Sequence, residues 1–459
     1  MPPLPNELWW NIIAHAISPE SNLAMVKPSV EHLHPFFPGG FAGFNEEYFY
    51  SEQLAIWNCS NIVAHNLMQV NRLWRGIAER FLYSAFYVEE EWRAKRFIDT
   101  IKLNPNLAKR LRTLVIMPRL CTKGVKKACV DSHIIQMLST CHDIDAIVIH
   151  SDLLSSPLPL FQSLDSSRRL LLLSALGLQD EEFATFMINF KNYASLQVLE
   201  LSVKSVDDHT LPSLPEHITF PSLHALILGY LDPLVIDVVG KWELPSLKEL
   251  SISRWYPGVS TALLPLIQRS YDTLELFSAC VDLLHDHDFH GIIRAPPLHL
   301  MNMTFNFATT MHSSPPMHPA IKTLLSHVVT LGISRFGMMT QEVERAWVRF
   351  FADPTYTPRL RSVLTDVTID LLVLSVNLRW PLFEELRPFA EELEDRDVAF
   401  KGLTNDNTSF VPIELLLRDA LEVSMSCLVM DRCSSPHQEQ NALHATDENF
   451  ELPVSNDNL

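Results

Sequence analysis

The sequence has few of the residues from which familiar catalytic and nucleotide-binding loops are built. Only 13 of its 459 residues are glycine, and it contains no Gly-rich phosphate-cradling loop, Gly-x-Ser-x-Gly turn or His-Glu-x-x-His motif. The cluster of metal-ligand residue types from His285 to His290 has no companion ligand pair at a recognisable spacing. We therefore expect no enzymatic activity, no cofactor and no metal site.

Positive charge is also scarce, with 36 Lys and Arg against 54 Asp and Glu, for a net charge of -18. Nucleic acid and anionic membranes repel a protein of that sign, so we expect neither as a partner. The cations concentrate between Arg93 and Lys127, where eleven Lys or Arg accompany one acid. One interpretation is an anion site for a phosphorylated or acidic segment, and the other, which we favour, is a solvated face paired with the protein's own acids, such as those at 89–91. The candidate anion ligands are Arg110, Arg112, Lys126 and Lys127.

Paired cysteines and long hydrophobic runs are missing as well. The seven cysteines are scattered and include no Cys-x-x-Cys pair, which is typical of reduced thiols in the cytosol or nucleus. The apolar runs at 170–178 and 371–374 are too short to span a bilayer, and no signal-peptide pattern opens the sequence. We expect a cytoplasmic or nuclear protein.

Two amphipathic helices are predicted near the amino terminus. Pro5 suits a first helical position, Glu7 complements the helix dipole, and Leu8 and Ile12 continue one apolar face. A second run has apolar residues at alternating spacings of three and four, namely Leu67, Val70, Trp74, Ile77 and Phe81. Proline and glycine between these runs predict a long inserted loop at about 19–58.

The segments Leu4-Pro5-Asn6-Glu7-Leu8 and Val70-Asn71-Arg72-Leu73-Trp74-Arg75 together resemble the two halves of an F-box. In that family a small helical domain docks onto the Skp adaptor of a cullin-RING ubiquitin ligase, and the region after it selects the substrate. The inserted loop departs from the family, whose halves usually run together. The alternative is two ordinary helices of a bundle. The resemblance implies an adaptor-binding set of Leu4, Pro5, Leu8, Ile12, Val70 and Trp74, with Val70 and Trp74 anchoring the helical core.

From Leu111 onward the pattern Leu-x-x-Leu-x-Leu recurs loosely, at intervals of 24 to 33 residues. A period near 26 resembles leucine-rich repeats, with one strand and one helical return in each unit. Helical returns are predicted at 130–141, 181–190 and 262–267. The Asn or Cys that regular repeats place after the last apolar position is replaced by Lys204, Leu231 and Trp255. We therefore expect an irregular solenoid, and the alternative is a leucine-rich α/β domain without repeats.

If the strands lie as in that family, alternate residues point away from the core onto the concave face. A partner protein of unknown identity would bind there. The candidate substrate-binding residues are Val198, Glu200, Ala225, Ile227, Glu249 and Ser251.

The predicted fold class is α/β, a small N-terminal helical F-box-like module followed by an irregular leucine-rich-repeat-like solenoid. The predicted divisions are the module at 1–92, a basic linker at 93–110, the solenoid at 111–380, a helical C-terminal cap at 381–433 and a disordered tail at 434–459.

The resemblance implies a non-catalytic substrate receptor. Its N-terminal module would bind a Skp-type adaptor and, through the adaptor, a cullin ligase, and its repeats would bind a protein substrate. The alternative is a protein-interaction scaffold without a link to ubiquitin, whose N-terminal helices only cap the solenoid. A cap would hide Leu4, Pro5 and Leu8 inside the fold, whereas a receptor would leave them available.

Overall fold

A computed structural model describes the helical start of the chain and most of the region in which repeats are predicted. The described residues are 6–17, 61–88, 91–116, 127–150, 164, 170–190, 193–203, 218–231, 233–252, 259–270, 272–280, 284, 302–306, 315, 319–334, 346–347, 349–351, 353–365, 382–403, 410–413 and 415–419. Predictions for the inserted loop, for the cluster from His285 to His290 and for the tail at 434–459 lie outside these residues.

The described residues form a mixed α/β structure around one open, almost entirely parallel sheet. Its thirteen strands lie side by side in sequence order. The first twelve strands run parallel to their neighbours, and only the thirteenth runs antiparallel to the twelfth. The strands are β1 Ala85–Val88, β2 Thr113–Ile116, β3 Ala146–His150, β4 Leu172–Leu178, β5 Val198–Val203, β6 Ala225–Leu231, β7 Glu249–Ile252, β8 Leu276–Cys280, β9 Asn302–Asn306, β10 Thr330–Ser334, β11 Ser362–Thr365, β12 Ala399–Leu403 and β13 Phe410–Pro412.

Three helices precede the sheet and others return the chain between strands. No helix in the described part of the chain has the length and apolar character needed to cross a bilayer. A 3₁₀ helix spans Pro105–Arg110. The α-helices are α1 Asn6–Ile17, α2 61–68, α3 Arg72–Leu82, α4 Glu91–Leu103, α5 Lys127–Thr140, α6 Asp180–Phe190, α7 Pro233–Val239, α8 Val259–Arg269, α9 Pro319–Leu325 and α10 Leu382–Glu394.

A single hydrophobic core runs between one face of the sheet and the returning helices, from Phe86 to Leu417. Strand residues at every second position enter it, as Leu199 and Leu201 do on β5, and helical residues such as Phe186 and Leu263 meet them. The predicted strand positions and the predicted returns at 130–141, 181–190 and 262–267 are confirmed by strands β2 to β11 and by helices α5, α6 and α8.

The sheet extends beyond the predicted limits at both ends. Strand β1 pairs with β2, so the segment predicted as a basic linker at 93–110 is instead the helical return between them. At the other end, β12 pairs with β11 and β13 with β12. The region after 381 therefore adds two strands to the sheet and is not purely helical.

A column of backbone carbonyls joins the strands where they begin. The carbonyl of Ser84, immediately before β1, accepts hydrogen bonds from the N–H groups of Arg112 and Thr113 at 2.8 and 3.0 Å. The same two-donor arrangement is found before seven further strands, so backbone hydrogen bonds link neighbouring strands at this end of the sheet. The other accepting carbonyls are those of Arg112, Asp145, Leu171, Gln197, His224, Lys248 and Val329.

Candidate functional site

The N-terminal helices form a small module with a hydrophobic core of its own. Ile13 of α1, Ala64 of α2, and Ile77 and Ala78 of α3 are buried together. Two aromatic pairs close this core, since Trp9 lies 5.1 Å from Trp74 and Trp10 lies 5.1 Å from Phe81 between ring centroids. Aromatic pairs at such distances add to the energy of area burial. These contacts hold α1 against α3.

The predicted single helix from Leu67 to Phe81 is wrong, because the chain turns at 69–70 between α2 and α3. Asn71 has an extended backbone and its side chain accepts a 2.9 Å hydrogen bond from the N–H of Trp74, which caps the start of α3. The Nε of Arg75 also donates to the carbonyl of Met68 at 3.1 Å across the turn. Asn at the head of an apolar run was the sequence signal for this boundary.

Val70 and Trp74 were both predicted to anchor the module core, but the structure places them in different environments. Trp74 is partly buried and packs against Trp9, as an anchor of the core should. Val70 lies in the turn and is 56% exposed, so the prediction that it anchors the core is wrong. It remains a candidate for contact with another protein.

Helix α1 has one face in the module core and another in solvent. Trp9, Trp10 and Ile13 pack inward, whereas Leu8 is 46% exposed and Ile12 is 48% exposed. Leu8 and Ile12 are four residues apart and therefore lie one above the other on the same face. Leu4 and Pro5, which complete the predicted adaptor-binding set, lie outside the described residues.

Exposed apolar side chains concentrate in this module. Among the described residues nine large hydrophobic side chains are exposed, and five of them belong to the three short helices and their turn. Soluble monomers rarely expose clustered apolar side chains, and where such a cluster is exposed it usually marks a surface that binds another molecule. The five are Leu8, Ile12, Ile62, Val70 and Leu73.

A second candidate surface is the sheet face opposite the main core. Val198, Ala225 and Ile227 form a separate hydrophobic cluster there, with Leu172 packed against it. The six predicted substrate-binding residues do alternate onto this face, but four of them are at most 4% exposed, so they do not form the open surface that the pattern predicted. The four are Val198, Ala225, Ile227 and Ser251, while Glu200 and Glu249 are half-buried.

Polar side chains border the apolar cluster on two sides. On one side, the Oγ of Ser174 donates a 2.6 Å hydrogen bond to Oε2 of Glu200 on the next strand. On the other side, Glu249 lies in register with Ala225, and Ser251 lies in register with Ile227. Burial, reinforced by the carboxylate of Glu275 and opposed by Lys248, raises the pKa of Glu249 to about 7.

The basic residues predicted as an anion site are engaged with the protein's own acids. Nη1 of Arg110 lies 2.9 Å from the carboxylate of Glu79, and Nη1 of Arg112 lies 3.4 Å from that of Asp145. Arg112 also donates to the carbonyl of Asp143. This favours the solvated, ion-paired interpretation for Arg110 and Arg112. The side chains of the acids at 89–91 lie outside the described residues. Lys126 and the side chain of Lys127 lie outside the described residues.

The described residues contain no cluster of His, Cys, Asp or Glu that could hold a metal ion. The module surface instead offers exposed apolar side chains. Such a concentration of exposed apolar side chains is typical of a surface that binds another protein. No protein-family model matches the chain, and no curated protein is similar enough to count as a relative.

Proposed function

We propose that this chain is the substrate-recognition subunit of a Skp–cullin–F-box type ubiquitin ligase. The exposure of Leu8 and Ile12 carries the proposal, because these residues hold predicted adaptor-contact positions and lie in solvent while their helical neighbours pack inward. Leu73 and Val70, at the opening of α3, add exposed apolar surface to the same module.

Burial of this surface would supply part of the free energy of a specific contact. Full burial of a Leu or Ile side chain is worth roughly 1.5–3 kcal/mol. Leu8 and Ile12 keep about half of their surface exposed, so covering both contributes on the order of 2 kcal/mol before any hydrogen bond forms. A few such positions around Leu8 would make the core of an interface.

The remainder of the chain would hold the substrate. We interpret the sequential parallel strands and their helical returns as an irregular leucine-rich-repeat-like solenoid, an architecture in which each unit contacts its neighbours and the sheet presents one long face. Tethering a substrate there raises the effective concentration of its lysines near the ligase's ubiquitin-charged enzyme. The chain itself needs no reactive group for this role.

The alternative role, an N-terminal cap for a scaffold, requires Leu8 to lie against the rest of the fold. Its 46% exposure argues for the receptor. The module core is also separate from the main core, whereas a cap would share side chains with the array that it covers.

Co-expression with a Skp adaptor, followed by size-exclusion chromatography, tests the proposal. We expect the full chain to co-elute with the adaptor and a Leu8→Ala/Ile12→Ala variant to elute alone. Ile188→Ala is the matched control, because Ile188 on α6 is also 48% exposed but lies outside the module.

Near-ultraviolet circular dichroism of the tryptophans would verify that the double variant keeps the Trp9–Trp74 packing. Elution of the folded wild-type chain without the adaptor would refute the receptor role. Co-elution that survives the double substitution would remove the Leu8 and Ile12 surface from the contact.

A further inference from the structure

Helix α4 has one face in the main core and another in solvent. Ala94, Phe97, Ile98 and Ile101 are buried in the core, and the residues on the opposite side of the helix are exposed. We call this exposed side the outer face of α4. It consists of Trp92, Lys95, Arg96, Asp99, Lys102 and Leu103.

The outer face has a large apolar side chain at each end. Trp92 is 54% exposed and Leu103 is 89% exposed. They lie near opposite ends of α4, close to three helical turns apart, so they lie on the same side of the helix at a separation of about 16 Å. The guanidinium of Arg93 lies 5.5 Å from the ring centroid of Trp92. Both apolar ends are accessible to another molecule, and tryptophan is among the residue types that contribute most to protein interfaces.

Positive charge lies between the two apolar ends. Lys95, Arg96 and Lys102 are exposed and share this stretch with a single acid. None of the three cations forms an ion pair within the described part of the chain, in contrast to Arg110 and Arg112. Pairing with the protein's own acids therefore accounts for the end of the basic stretch and leaves the cations of α4 available to an external carboxylate.

The outer face is complementary to a short acidic segment of another protein. Five or six extended residues span about 16 Å, which is the separation of the two apolar ends. Such a segment meets only the cations beside it, because charges farther away than about 10 Å are screened. An anionic bilayer or a second copy of this chain would also meet the rest of a protein whose net charge is -18, and that charge repels both.

We propose that the outer face of α4 binds an acidic segment of a protein substrate. The carboxylates of the segment pair with Lys95, Arg96 and Lys102, and apolar side chains at its two ends lie against Trp92 and Leu103. The identification of the segment as part of a substrate rests on the proposed function.

The outer face belongs to a helix that is anchored beside the N-terminal module. Nη1 of Arg110, in the 3₁₀ helix that follows α4, lies 2.9 Å from the carboxylate of Glu79 on α3. The ring of Phe97 lies 6.1 Å from that of Tyr83, which ends α3. A segment bound to α4 would therefore be held close to the module that we propose as the adaptor-binding part.

Fluorescence anisotropy with the full-length chain tests the surface without any adaptor. The probe is a fluorescein-labelled hexapeptide with four glutamates between two leucines. One reference probe has glutamines in place of the glutamates, and the other has alanines in place of the leucines. We expect the acidic leucine probe to bind roughly fivefold more tightly than the glutamine probe, and its affinity to fall as salt is raised, because exposed ion pairs are weak individually and screened.

Two variants separate the contributions of charge and apolar contact. Lys95→Gln/Arg96→Gln/Lys102→Gln should reduce the affinity for the acidic leucine probe to that of the glutamine probe. Leu103→Ala should weaken binding of the leucine probe and leave that of the alanine probe unchanged. All of these positions are exposed, and far-ultraviolet circular dichroism verifies that the variants keep the fold.

Lys241→Gln/Lys322→Gln/Arg359→Gln is the matched control, because it removes the same charges from exposed positions outside α4. It should leave binding unchanged. Equal binding of the glutamine probe, or an equal loss in the control variant, would overturn the proposal. Binding to phosphatidylserine vesicles, or self-association in sedimentation velocity, would also overturn it if the α4 charge variant abolished that binding, since the outer face would then have a different occupant.

Peptide binding does not depend on the adaptor, so the two proposals can fail separately. A chain that co-elutes with a Skp adaptor but does not bind the acidic probe would refute the α4 site alone. A chain that binds the probe but elutes without the adaptor would keep the α4 site as a surface for acidic segments and refute the receptor role.

Discussion

A β-carbon on Gly240 would lie 2.1 Å from the carbonyl oxygen of Ala262. Gly240 follows α7 directly and Ala262 belongs to α8, so this close approach sets how tightly two neighbouring returns pack. The Nη2 of Arg269 reinforces it by donating to the carbonyls of Gly240 and Trp242 at 2.6 and 2.9 Å.

Gly240→Ala should therefore destabilise the fold by about 1–3 kcal/mol, because backbone must move to admit the methyl group. Urea unfolding followed by tryptophan fluorescence measures the change. An unaltered midpoint would mean that α7 and α8 separate at little cost.

The reverse effect is expected at Gly76 in the interior of α3, where an added β-carbon meets nothing within 4 Å. Gly76→Ala should stabilise that helix by roughly 0.5–1 kcal/mol, since alanine loses less conformational entropy on folding. Slower amide hydrogen exchange along α3 would register the gain. Exchange rates equal to those of the wild type would contradict it.

Removal of the side-chain cap of α3 should loosen the module. Asn71→Ala deletes the acceptor for the N–H of Trp74 and should cost about 1 kcal/mol of local stability. Asn71→Ser keeps a capping oxygen and is the matched control. Amide exchange in the first turn of α3 should accelerate in the alanine variant alone, and equal acceleration in both would assign the effect to something other than the cap.

Glu249 should make the stability of the protein fall as the pH rises from about 4.5 to 7. Burial, with the carboxylate of Glu275, raises the pKa of Glu249 from 4.5 to about 7, so the folded state holds the proton more tightly than the unfolded state. The stabilisation is complete below the unfolded pKa and is lost as the folded group ionises. A difference of this size corresponds to on the order of 3 kcal/mol.

Glu249→Gln cannot ionise, so this variant should be close to the wild type in stability at pH 5 and more stable at pH 8. Urea midpoints at the two pH values test this directly, because the other titrating groups cancel in the comparison. A constant difference between variant and wild type across the range would contradict the raised pKa.

The repeat pattern revealed most of the sheet because its leucines enter one core once in every 24 to 33 residues. Leu199 and Leu226 are register partners, as the spacing of their patterns requires. Strand β1 escaped detection because Ala85 to Val88 are all buried and show no alternation. The turn before α3 was missed because Val70 continues the apolar spacing across it.

The two surfaces differ in how far the sequence could reveal them. The exposed face of α1 follows from helical periodicity once Trp9, Trp10 and Ile13 are assigned to the core. The environment of Glu249 depends on the register of three strands, which sets its neighbours as Ala225 and Leu276. The sequence around Glu249 does not reveal this register. The raised pKa of Glu249 and its unpaired oxygen could therefore be recognised only from the three-dimensional structure.

The carbonyls before the strands connect most strands to the strand that precedes them in the chain, which allows the sheet to form from its N-terminal edge as the chain is synthesised. Most of the parallel strands after β1 donate two N–H groups at their start to a carbonyl of the strand synthesised before, as Lys248 and Glu249 donate to His224. Because the strands lie in sequence order, every strand after β1 finds one of its partners already synthesised. Each strand can therefore dock on emergence, which limits the time that an unfinished sheet edge is open to other nascent chains.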